Sequence, residues 1–164
     1  MATFTALGLQ QELITEIATI LDGIELKDTN GNPVKIRCFE QELPKLTEDE
    51  EEASQFFPYY IVQLHTGSTI GDTEDDEYDC WHVPVVVQFG IFDDDKEGHA
   101  HRAILTMIQK ISDRFNSRPL LGHAYRAERK MDWEILDEDT YPFLFGALEM
   151  NFMVPKMERS DDYE

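Results

Sequence analysis

Cys80-Trp81-His82-Val83-Pro84-Val85-Val86-Val87-Gln88-Phe89-Gly90-Ile91-Phe92 is the stretch that decides the fold. Val83, Val85, Val87, Phe89 and Ile91 fall at every second position, and Pro84, Val86, Gln88, Gly90 and Phe92 fill the alternate ones. Side chains on a strand project to opposite faces in turn, so the first set predicts a long strand with one continuous core face. A second strand is predicted upstream, over 59–65, entered through Pro58. The two read as an antiparallel hairpin. Their connector, residues 66–79, is far longer than a tight turn requires and carries the acidic run Gly71-Asp72-Thr73-Glu74-Asp75-Asp76-Glu77.

Outward from this hairpin, two helices bracket it. Leu9, Leu13, Ile17, Ile20, Leu21 and Ile24 recur at three- and four-residue spacing and predict an amphipathic helix over 5–24, capped by Thr3 or Thr5. A second helix is predicted over 96–117, with Ile104, Leu105, Ile108, Ile111 and Phe115 on its buried side. Asp93-Asp94-Asp95 offers its cap and Arg118-Pro119 its end. Asp28 to Pro33 is a turn built on Asn30-Gly31, and Val34 to Phe39 alternates as a short strand. Residues 120–128, 131–136 and 143–154 read as three closing strands, the last with Leu144, Leu148, Met150, Phe152 and Val154 on its core side. Strands in runs with only two helices specify an α+β class, an antiparallel or mixed sheet with both main helices on one face. One domain over 1–155 and a frayed acidic tail over 156–164 follow.

Composition excludes more than it selects. Asp and Glu total 34 against 14 Lys and Arg, a net charge of −20. No basic stripe exists to neutralise phosphates, which argues against nucleic-acid grip and against anionic membranes. No membrane-length apolar run and no secretory leader are read, so a reducing cytoplasm is expected, with Cys38 and Cys80 as packed thiols.

The sequence predicts no enzyme and no cofactor. Asp93-Asp94-Asp95-Lys96-Glu97-Gly98 imitates the opening of a calcium loop, but position twelve, which must be a bidentate Glu, is Ile104. His99 and His101 stand two apart and would leave a helix on different faces. Cys80 and His82 share a strand face without a second ligand pair to support them, so no metal is expected. No nucleophile elbow, recognisable catalytic cysteine context or phosphate loop is present.

Aromatic placement says more. Phe56-Phe57-Pro58-Tyr59-Tyr60 and Tyr141-Pro142-Phe143-Leu144-Phe145 each open a strand, and the sheet carries apolar residues on both faces. Either these rings close the edge of the core, or a sister subunit buries some of them. Tyr60, Val62, Val86, Phe92, Phe143 and Phe145 are the candidates for such an interface. Asp72, Glu74, Asp75, Asp76 and Glu77 mark a candidate mobile or lumen-lining loop.

The succession of an N-terminal amphipathic helix, Phe57–Leu64, an acidic loop, Val83–Asp95, the helix Ala103–Phe115 and the closing strand Tyr141–Pro155 resembles the tail-terminator, or tail-completion, proteins of long-tailed bacteriophages and prophages. The resemblance rests on pattern and order across nearly the whole chain. It implies a structural virion protein whose homo-oligomeric ring, a hexamer, caps the tail tube protein and stops polymerisation. The ring would then offer a surface to the head-tail connector protein. It also implies passage of DNA without specific binding, no membrane partner, and a place in the virion neck after assembly in the host cytoplasm. The acidic run at 47–52 and the acidic tail depart from the family pattern. Another neck or connector protein, or an acidic DNA mimic that inhibits a DNA-binding protein, are the alternative readings. Carboxylates concentrated in loops fit a mimic poorly.

Overall fold

The computed structural model describes residues 4–46, 53–69, 80–136 and 138–156. In chain order the elements are α1 (Ala6–Ile20), β1 (Glu25–Lys27), β2 (Pro33–Lys35), β3 (Arg37–Glu40), a 3-10 turn (Ala53–Phe56), β4 (Tyr59–Leu64), β5 (Cys80–Phe92), α2 (His101–Ser117), β6 (Leu120–Leu121), β7 (Tyr125–Ile135) and β8 (Phe143–Pro155). The eight strands form one sheet with the path β2-β1-β5-β8-β7-β6. β5 and β8 are its spine, paired antiparallel along their whole length from Cys80↔Pro155 to Phe92↔Phe143. The other edge of β5 takes β4 over Tyr59↔Gly90 to Leu64↔Val85, and beyond it β1 through Lys27↔Phe92. β3 runs parallel to β4, so the sheet is mixed. The α+β class and the antiparallel β4–β5 hairpin stand as expected.

Local boundaries shift for identifiable reasons. Thr5 caps α1, its hydroxyl accepting from the Gly8 N–H at 3.0 Å, but the helix stops at Ile20. Gly23 at φ 92 takes the left-handed conformation that closes helices, and the freed chain becomes β1. The alternating segment 34–39 is two strands, because Lys35 still pairs with β1 whereas Arg37 already pairs with β4. α2 begins at His101, five residues later than expected, and the aspartates do not cap it. Asp93 accepts from the Asp95 N–H and Asp95 from the Glu97 N–H, both at 2.9 Å, so their carboxylates are spent on local turns. His99 therefore precedes the helix. Residues 125–135 form a single strand whose register with β8 slips between Ala127 and Met131.

Both helices pack on one face. Leu9, Leu13 and Ile17 of α1 and Ile104, Met107, Ile108, Ile111 and Phe115 of α2 meet Val83, Val85, Val87, Phe89 and Ile91 of β5 and Leu148, Met150, Phe152 and Val154 of β8. Met107 takes the inner place expected of Leu105, which is only half-buried. α2 reaches the sheet because Gly146 has no side chain: a Cβ there would lie 2.8 Å from Ile104 Cγ2. Arg114 joins the helices, its Nε donating to Glu16 at 2.6 Å and its other nitrogens to the carbonyls of Arg118 and Leu120.

The core holds groups that resist ionisation. Burial raises the pKa of Tyr60 far above its usual value, reinforced by its contact with Cys38. Burial also pushes the Cys38 thiol and the Tyr59 hydroxyl upward. Unfolded, these groups lose protons near pH 8.5 for cysteine and about 10 for tyrosine, whereas the folded chain keeps them longer. The unfolded state then binds fewer protons, so stability falls as pH rises. Urea midpoints flat up to about pH 8 and declining steadily from about pH 9 to 11 are the expected result, and no decline would contradict it.

Candidate assembly surface

The sheet face away from the helices has an aromatic end. Phe56, Phe57, Tyr59 and Ile61 are buried there, with Phe39, Leu43, Phe92, Phe143 and Phe145 packed around them. The 3-10 turn lays Phe56 and Phe57 over the sheet, and the Phe57 ring lies 4.5 Å from Phe143 and 5.7 Å from Phe145. Tyr59 folds across Gly90, where a Cβ would meet its ring at 2.5 Å. This is a small second core.

The interface candidates divide accordingly. Tyr60 and Val62 are 2% and 0% exposed and lie in the helix-covered core, opposite Phe89 and Val87. They are unavailable to any partner, and the strand's open face carries Tyr59 and Ile61 instead. With Tyr59-Tyr60-Ile61-Val62 apolar throughout, periodicity could not fix the phase of β4; only its pairing with β5 does. Val86, Phe92, Phe143 and Phe145 do lie on the open face, half-buried. Three of them, Phe92, Phe143 and Phe145, lean on the second cluster. Asp72, Glu74, Asp75, Asp76 and Glu77 lie outside the described residues, as do the acidic run at 47–52 and residues 157–164 of the tail.

Towards its centre the open face turns polar. Gln88 donates to Gln63 at 2.9 Å, and Asp132 stands directly opposite Glu149. Beyond Arg126, the outer edge of β7 has no strand partner among the described residues, since β6 pairs only with Tyr125 and Arg126. Arg129, Lys130, Asp132 and Glu134 blunt that edge. Trp133 nevertheless stands 59% exposed on it, with exposed Leu136 and Tyr141 near the aromatic end.

A concave apolar surface lies at the opposite end of β8. There the N-terminus of α1, the exit of β4 and the start of β5 leave a groove of about 540 Å³, lined chiefly by Phe4, Leu64, Trp81, Val83, Val154 and Pro155. Phe4 and Trp81 are 41% and 42% exposed. Sequence reading missed both the groove and Trp133, because each depends on what the helices leave uncovered.

Among the described residues no group of three metal-ligating side chains is poised to hold an ion, and Ile104 is fully buried in the core. No helix among them is long and apolar enough to cross a membrane. Comparison with protein-family models and with curated proteins finds no match for this chain.

Proposed function

We propose that this chain is a structural subunit of a long-tailed bacteriophage, a tail terminator that closes the tail tube as a hexameric ring and receives the head-side connector. The observation that carries the reading is the separation of two unlike apolar surfaces on one subunit. A concave groove around Trp81 lies at one end of β8, and the projecting edge with Trp133 and Leu136 lies towards the other. Two distinct complementary patches make a head-to-tail contact, and such contacts close into rings when the rotation per step permits. Exposed tryptophan is a common anchor of such interfaces. The net charge of −20 favours a passage that repels the DNA backbone rather than gripping it.

Native mass spectrometry with negative-stain imaging, with and without tail-tube protein, tests this. The expected species is a closed ring of six 19.0 kDa chains that Trp133→Ala disperses. A chain that remains monomeric even on tube ends, and instead binds a DNA-binding enzyme, would overturn the reading in favour of the mimic.

A further inference from the structure

At the end of the open face remote from the aromatic cluster, three side chains from two strands converge. Cys80 and His82 are alternate residues of β5, and the Cys80 Sγ lies 3.7 Å from His82 Nε2. The other ring nitrogen, Nδ1, lies 2.6 Å from Glu128 Oε1. Glu128 belongs to β7, with β8 running between it and β5. It follows Ala127, which faces the core opposite Phe152, so it takes the open face shared with His82, at the point where the register with β8 slips. The His82 backbone is fixed on both sides, by Met153 on β8 and by paired hydrogen bonds with Ser68.

We propose that Cys80 is a nucleophilic thiol, activated by His82 with Glu128 as its positioning residue, that exchanges with small disulfides and so carries a reversible S-thiol modification. An ionised carboxylate only accepts hydrogen bonds, so Glu128 fixes the proton on Nδ1 and leaves the Nε2 lone pair facing sulfur. His82 takes the thiol proton, and the imidazolium formed is stabilised by the carboxylate. The Cys80 sulfur then attacks one sulfur of the disulfide. The new S–S bond forms as the old one breaks, and the departing thiolate takes the proton from Nε2. Cys80 is oxidised and the small disulfide is reduced, with no further reactant. Arg126 of β7 stands opposite Met153, itself the partner of His82, and so shares the open face with the group. His65, at the exit of β4, is hydrogen-bonded to Gln63. Cys80 is 6% exposed and the His82 and Glu128 side chains 18% and 29%, which selects small reagents.

Cys38 is the internal control, since burial pushes its thiol pKa upward. Iodoacetamide labelling of the full chain, mapped by peptide mass from about pH 5.5 to 9.5, tests the proposal without any variant. Cys80 should be labelled roughly tenfold faster than an ordinary thiol near pH 6.5, since the thiolate is the reacting form. Glutathione disulfide should leave one adduct, on Cys80, that dithiothreitol removes. His82→Gln should return the labelling profile to the ordinary thiol range, and Glu128→Gln should move it the same way. Equal rates at both cysteines, no labelling of Cys80 in the native chain, or a profile indifferent to His82→Gln would each overturn the proposal. Ring formation plays no part in this test.

Discussion

Phe152→Ala should cost about 3–5 kcal/mol of stability, the range for removing a fully enclosed aromatic side chain. Phe152 is 0% exposed on β8, between its partners Val83 and Ala127. The Phe115 ring of α2 meets it edge-to-face, centroids 5.3 Å apart at 88°. The truncation therefore removes the contact through which α2 locks onto the centre of the sheet, together with an aromatic pair term of roughly 1 kcal/mol. For a chain of this length the melting point should fall by roughly 10 °C. Urea denaturation checks the value. A loss below about 1 kcal/mol would mean that α2 slides in to refill the space, so the core is less fixed than its packing implies.

The second large effect should come from a polar residue. Gln41→Ala is expected to cost about 2 kcal/mol, because its carboxamide stands in for a missing strand beside Leu64. The Gln41 amide donates to the Leu64 carbonyl at 2.9 Å, and its oxygen accepts from the Leu64 N–H at 3.2 Å. That same oxygen accepts from Gln10 Nε2 at 2.9 Å, and Gln10 is a buried polar residue of α1 that also donates to the Val62 carbonyl. One side chain thus satisfies the end of β4 and ties it to α1. Gln41 also holds φ 70, a conformation that costs an alanine as much as a glutamine. Gln41→Gly should therefore be less damaging than Gln41→Ala, by several tenths of a kcal/mol or more, although both lose the carboxamide. Hydrogen exchange at the Leu64 amide and denaturant midpoints of the two variants separate these contributions. Equal losses would place the whole effect in the hydrogen bonds.

Phe152 is legible as a core residue from strand alternation alone, and Gln41 is not. The period of two through 143–154 places Phe152 with Leu148 and Met150, and the fold buries all three. Gln41 sits in no periodic pattern; its importance depends on where β4 happens to end. The same contrast separates Tyr60 from Phe145. Where apolar residues are consecutive, sequence offers no phase, and the pairing with β5 turned Tyr60 inward and Tyr59 outward. The Cys80–His82 pair could be seen as neighbours on one strand face. Glu128, 46 residues away in sequence from His82, entered only through the pairing of β7 and β5 on either side of β8.

Sequence by itself determined the long strand Cys80–Phe92, the two amphipathic helices, the α+β class and the absence of a basic stripe, since each follows from spacing or charge within one segment. Tertiary structure alone decided which edge each strand takes, which apolar face is left open, and that a histidine on β5 meets a glutamate on β7. Those outcomes depend on contacts between segments far apart in the chain, whose balance of burial and hydrogen bonding no local pattern encodes.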